Sequence, residues 1–229
     1  MRNHSPRASV QSMTRAIYFN GTLTPSPGLS HTELLIEKSA SILRAEGVDV
    51  EIIRTVDHDL APGVQPDMTE HGAASDTWPE LWRRVLAADI IVIATPIWLG
   101  QASSVTRRLL ERLYAQSGQL NDRGQSVFMN KVAGCLVGGN EDGMKHVASE
   151  VLYSMQHIGC AVPPQADAGW VGEAGPGASY GDELDDGSRA GYDNDFTNRN
   201  VRIMSWNLIH FARLLADGIP NEGNDRRQD

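Results

Sequence analysis

Apolar residues along the chain fall into two kinds of run that alternate. Arg15-Ala-Ile-Tyr-Phe-Asn20 is short, continuous and followed by Gly21, the pattern of a strand buried on both faces. Residues 21–29, rich in Thr, Ser, Pro and Gly, predict a loop. Ser30 then reads as an N-cap, with Glu33 three residues on to complete a capping box. Leu34, Leu35, Lys38, Ile42 and Leu43 recur at helical spacing until Gly47 ends the helix. Residues 48–54 alternate as a second strand, and a long polar connection covers 55–75. Residues 78–88 form a helix with Trp78, Leu81, Trp82, Val85 and Leu86 on one face. Residues 89–95 (DIIVIAT) are the clearest buried strand. A turn is expected at 96–101, then a helix at 102–115 with Val105, Leu109, Leu110 and Leu113 inward. Residues 131–137 predict a fourth strand, 138–143 a loop and 144–158 a helix. A short fifth strand is expected to begin at 160–162 and to stop at Pro163-Pro164. The Gly-rich, acidic and aromatic stretch 169–195 precedes a last helix at 196–215.

Five strands alternating with helices imply an α/β sandwich of three layers. A five-stranded parallel sheet in the order 2-1-3-4-5 carries helices on both faces, with right-handed crossovers. The domain is expected to occupy residues 15–216, between a disordered N-terminal tail (1–14) and a polar C-terminal tail (217–229). The first fourteen residues lack the apolar segment of a signal peptide, and no run of about 18 apolar residues occurs, so no membrane span and a cytoplasmic location are expected. A formal net charge of −9 without a Lys/Arg run disfavours nucleic acid and anionic membranes as partners. The two cysteines, Cys135 and Cys160, form no CxxC motif, which argues against a zinc ribbon or an iron–sulfur cluster. Buried free thiols are expected instead.

In a sheet of this order ligands bind outside the carboxyl ends of the strands, near the switch point between strands 1 and 3. Attention therefore goes to the loops after strands 1, 3 and 4. The first offers hydroxyls at Thr22, Thr24, Ser26, Ser30 and Thr32, with His31 among them, and enters a helix N-terminus able to hold a phosphate. A plain capping loop has the same composition. The second, Thr95-Pro96-Ile97-Trp98-Leu99-Gly100, sets a Trp at the sheet edge, either to stack on a flat ligand or to fill the core beneath a turn. The third, Gly138-Gly139-Asn140-Glu141-Asp142-Gly143, suits close backbone approach to a ligand edge or a generic turn.

Together these loops resemble the NAD(P)H-dependent FMN reductase and quinone reductase branch of the flavodoxin-like superfamily. The hydroxyl loop is similar to that family's phosphate loop. The Thr95–Gly100 stretch is similar to its Thr-Pro-x-aromatic-x-Gly flavin loop, the most specific motif present. Gly138–Gly143 is similar to the loop bordering the dimethylbenzene and N5 side. The resemblance spans about residues 15–162. It implies FMN as cofactor, held by Thr22, Thr24, Ser30, His31 and Thr32, by Thr95, Pro96, Ile97, Trp98, Leu99 and Gly100, and by Gly138, Gly139, Asn140 and Gly143. NADPH or NADH would be the electron donor and a small molecule such as a quinone or free flavin the acceptor, in a homodimer or homotetramer. Leu99 and Gly100 amides at a helix start would favour negative charge on the reduced ring. No catalytic side chain and no metal ligand is assigned. The alternative is a non-enzymatic, flavodoxin-type electron carrier.

Other patterns carry less. Neither G-x-G-x-x-G nor G-x-x-x-x-G-K-[ST] follows strand 1. Gly177-Ala-Ser-Tyr-Gly181 matches G-x-S-x-G but lacks the strand and helix a nucleophile elbow needs. The long stretch 169–195 is expected either to cover the flavin or to be a surface excursion.

Overall fold

The computed structural model describes residues 13–175 and 177–228, so residues 1–12 of the tail expected at 1–14 lie outside the described residues. The strands are β1 (Arg15–Asn20), β2 (Asp49–Arg54), β3 (Ile90–Trp98), β4 (Gln101–Ala102), β5 (Val132–Gly139) and β6 (Asp167–Val171). The helices are α1 (His31–Ala45), α2 (Trp78–Leu86), α3 (Ser104–Tyr114), α4 (Met144–Ile158) and α5 (Asp195–Leu215). The sheet runs β2-β1-β3-β5-β6, all parallel, which is the expected doubly wound order, and β4 folds back antiparallel on the end of β3.

Strand alternation sends successive side chains to opposite layers. Ile17 and Phe19 of β1 join Ile91 and Ile93 of β3 and Ala133 and Cys135 of β5 under α2, α3 and α4. Ala16 and Tyr18 join Ile90, Val92 and Leu136 under α1 and α5. Both cysteines are free and buried, and burial pushes the Cys160 thiol up to about 12. Tyr18, Ser39 and Ser205 form a buried hydroxyl chain at 2.9 and 2.7 Å that joins β1, α1 and α5.

Two expectations need correction. The fifth strand is not at 160–162: Ala161 makes only an isolated bridge to Val132, and pairing resumes at Asp167. Pro163 and Pro164 have no N–H to continue a ladder, so the chain turns before it can rejoin the sheet. The second difference is that β3 runs on through Pro96 to Trp98 and reverses in a hairpin, Ile97 pairing Ala102 and Trp98 pairing Gln101. Leu99 (φ 53°) and Gly100 (φ 72°) form its tip, both in the left-handed region that a two-residue hairpin demands. The helix after it starts at Ser104, capped by Ser103.

The long connection between β2 and α2 is stapled by one buried ion pair. Arg112 and Asp76 have no exposed side-chain surface and meet at 2.7 Å. Arg112 also donates to the carbonyls of Gly63 and Pro66, and Asp76 accepts from the amides of Met68 and Trp78. At the other end, Gln125 donates to the carbonyls of Ile219 and Pro220, which lays the segment after α5 against the loop before β5. Among the described residues no helix is long and apolar enough to cross a membrane.

A candidate flavin site at the carboxyl edge of the sheet

Asn20, the last residue of β1, is fully buried and organises the first loop. Its Nδ2 donates to Ser30 Oγ and to Glu33 Oε2, each at 3.1 Å, and its Oδ1 accepts from the Thr22 amide. Ser30 Oγ takes the Glu33 amide at 3.1 Å, so the N-cap forms as expected. The capping box is not completed from the other side, because Arg54 and Asn20 engage the Glu33 carboxylate. Arg54 also donates to the Gly28 carbonyl at 2.7 Å. Asp57 accepts from the Ser26 amide (2.9 Å) and hydroxyl (2.6 Å), and these bonds hold its carboxyl below the usual range. The loop is thus pinned from behind, by residues outside the cleft.

The structure brings three of the predicted loops to one cleft of about 440 Å³, a volume within the range of small-molecule sites. Thr22, Thr24, His31 and Thr32 line one end. Pro96, Ile97 and Trp98 line a second side, with Trp98 half exposed. Gly138, Gly139 and Asn140 supply a third. A Cβ on Gly139 would stand 3.1 Å from Ile97 Cβ, so a side chain here would crowd the floor where β3 and β5 meet.

Five predicted residues do not line it. Ser30 is buried as the cap of α1. Thr95 is buried and accepts from the Ser103 amide at 3.1 Å, while Ser103 donates to the Gly21 carbonyl. Leu99 is 90% exposed at the hairpin tip, and Gly100 sits beside it. Their amides are not at a helix start, which removes the proposed dipole for a reduced ring. Gly143 caps α4 in the left-handed region, and a Cβ there would come within 2.9 Å of Gly100 Cα. That close approach seats the hairpin on α4.

The fourth wall comes from the segment after β6. Gly175, Gly177, Ser179 and Tyr180 line the cleft, so this stretch covers the site rather than looping away from it. Leu23, Leu29 and Glu141 also line it and were not singled out from sequence. The apolar pair in an otherwise polar loop was the available signal for the first two. The described lining residues include no Lys or Arg. An anion would therefore rely on hydroxyls and on the first amides of α1, which have no intrahelical acceptor. Hydroxyls and helix amides at one end, with an aromatic and two glycines beyond them, fit a flat ring carrying a single phosphate.

The sequence comparisons agree with this geometry. A family model described as NADPH-dependent FMN reductase matches residues 14–172, from β1 to the end of β6. The chain is 59% identical over 201 residues to the divalent metal cation transporter MntH of Mycobacterium bovis, a match covering 88% of this chain and 29% of that protein. The chain thus spans less than a third of that relative's length. It is 38% identical over 208 residues to the 8-demethyl-8-aminoriboflavin-5′-phosphate synthase of Streptomyces davaonensis, covering 89% of this chain and 79% of the relative. Among solved structures, RosB with the bound intermediate 8-demethyl-8-formylriboflavin-5′-phosphate superposes with a TM-score of 0.82 at 37% identity, covering 94% of this chain and 84% of that one. With a family model matching every strand of the sheet, the chain belongs to the NADPH-dependent FMN reductase family, a family of flavin-dependent oxidoreductases.

Proposed function

We propose that the chain binds FMN in this cleft and passes electrons from NADPH or NADH to a small acceptor. The observation that carries the reading is the convergence of the loops after β1, β3 and β5 on one flavin-sized space. FMN supplies, when bound, two-electron transfer between a reduced nicotinamide and the acceptor. The protein supplies position and polarity. Thr22, Thr24 and Thr32 offer hydroxyls to the phosphate beside the N-terminus of α1. Trp98 gives the ring an aromatic neighbour, and Gly138 and Gly139 let it approach the backbone. Ser179 and Tyr180 close the far side against water. A free flavin or a quinone is an acceptor of suitable shape, because the open rim is apolar at Leu23, Leu29 and Trp98.

A second reading takes the bound flavin as substrate rather than resident cofactor. It is favoured by the likeness to the synthase from Streptomyces davaonensis and to the RosB structure with its flavin phosphate intermediate. One experiment addresses both. FMN-loaded protein is mixed anaerobically with NADPH and, separately, with NADH, and its absorbance followed. Bleaching of the flavin bands, with colour restored on adding a quinone and the flavin recovered unchanged, is the expected result. Flavin that resists both nicotinamides, or that is recovered chemically altered, overturns the reductase reading.

A further inference from the structure

Residues 173–175 and 177–182 supply the fourth wall of the cleft, and two side chains from different elements hold them there. Asn140, just after β5, donates from Nδ2 toward the carbonyls of Glu173 (3.2 Å), Gly177 (3.1 Å) and Ala178 (2.9 Å). His31, the first residue of α1, stands with Nδ1 2.9 Å from the Tyr180 carbonyl. A carbonyl only accepts, so Nδ1 carries the proton. Asp182 lies 3.6 Å from the same nitrogen. The segment between these grips is otherwise closed on itself: Ser179 donates to Asp182, Gly181 to the Ala190 carbonyl and Ala190 to the Asp182 carbonyl. The Tyr180 ring anchors it, 2% exposed between Trp170 at 5.7 Å and Tyr192 at 5.2 Å.

Both grips come from residues that themselves line the cleft. The strap is therefore fastened to the cleft lining at two places, once beside the hydroxyls of the first loop and once beside the glycines of the third. We propose that residues 173–175 and 177–182 belong to a strap whose two latches, His31 and Asn140, set how long a bound flavin stays, and so make it a resident cofactor rather than an exchanging ligand. The inference rests on the reading of the cleft as a flavin site. His31 and Asn140 act here as positioning residues, through the strap. Asn140 reaches carbonyls at both ends of the Gly-rich stretch, so its loss frees that stretch as a unit. Loss of His31 frees Tyr180 and the turn behind it.

The test uses His31→Ala, Asn140→Ala and the double variant of the full chain, with two readouts. The first is amide hydrogen exchange without ligand at Ser179, Gly181, Asp182 and Ala190, whose amides are bonded only within the strap and its return. The second is the rate at which FMN leaves after dilution into excess apoflavodoxin, used as a flavin scavenger. Each single variant is expected to lose protection at these amides and to release FMN about fivefold faster, as the loss of one net hydrogen bond implies. The double variant is expected to release it faster still. Faster release with unchanged protection would make the two residues direct flavin contacts and overturn the strap. Lost protection with unchanged release would overturn its role in retention. If the wild-type protein takes up no FMN, the flavin reading fails and retention fails with it, whereas the exchange pattern still reports whether the latches hold the strap.

Discussion

Ser26 gives both its amide and its hydroxyl to Asp57, and Arg54 reaches around to the Gly28 carbonyl, so the loop after β1 takes its shape from two charged residues that do not line the cleft. The Ser26 hydrogen bonds lower the Asp57 pKa below its unfolded value of about 3.9. The anchoring is fully present above that unfolded value and is lost as pH falls through the lower, folded one. FMN affinity, read by flavin fluorescence, should hold steady from neutrality down to about pH 5 as far as this contact is concerned. It should drop below about pH 4, with a step that Asp57→Asn removes. Trp98 contributes differently. It is half exposed, so its truncation should leave folding intact while removing ring contact. Trp98→Ala is expected to weaken FMN about three- to tenfold by titration, the worth of one aromatic pair.

At the level of elements, strands with a continuous apolar run or a clear alternation were readable, β2 among them, and the short strands β4 and β6 were not. The expected limits of β1 match the structure, because a strand buried on both faces has an unbroken apolar run with polar ends. β6 was missed because Asp167-Ala-Gly-Trp-Val171 lies at the sheet edge, where two small residues and a Trp carry no periodicity. The hairpin was missed because its return strand is two residues long and Leu99 is an unusual occupant of a left-handed turn position. That geometry changes what Gly100 does. The Cβ position there meets only the Asp142 carbonyl oxygen, at 3.8 Å, so Gly100→Val acts through the turn and not by filling the cleft. A β-branched residue at φ 72° should cost about 1–3 kcal/mol in urea unfolding, with any loss of FMN affinity arising from a displaced Trp98. The ion pair that staples the connection before α2 gives a second test. Asp76→Ala leaves the Arg112 guanidinium buried without its partner, and unfolding in urea should report a loss of about 3–5 kcal/mol. A loss below about 1 kcal/mol, the range of exposed pairs, would mean that water replaces the carboxylate.

For the whole molecule, alternation of strand and helix fixed the doubly wound order, and that order fixed which strand ends could hold a ligand. Ten of the fifteen residues singled out from sequence line the cleft, and the five that do not are its scaffolding: a helix cap, a buried link between loops, a hairpin tip and the glycine beneath it. The strap was ambiguous from sequence because glycines and acids describe an exposed excursion as well as a wall. The cleft-lining positions of Gly175, Gly177, Ser179 and Tyr180, with the long-range hydrogen bonds of Asn140 and His31, distinguish the two. The absence of Lys and Arg among the described lining residues means that a phosphate bound there would be held by hydroxyls and the α1 N-terminus.

That last point lends itself to the most direct test of the central claim, that loops from three strand ends together hold a phosphorylated flavin. The purified protein is titrated in parallel with FMN and with riboflavin, and binding is followed by flavin fluorescence. FMN should saturate at one per chain, with riboflavin at least tenfold weaker because it leaves the α1 end of the cleft unfilled. Equal affinity for the two, or no saturable binding of either, would contradict the account.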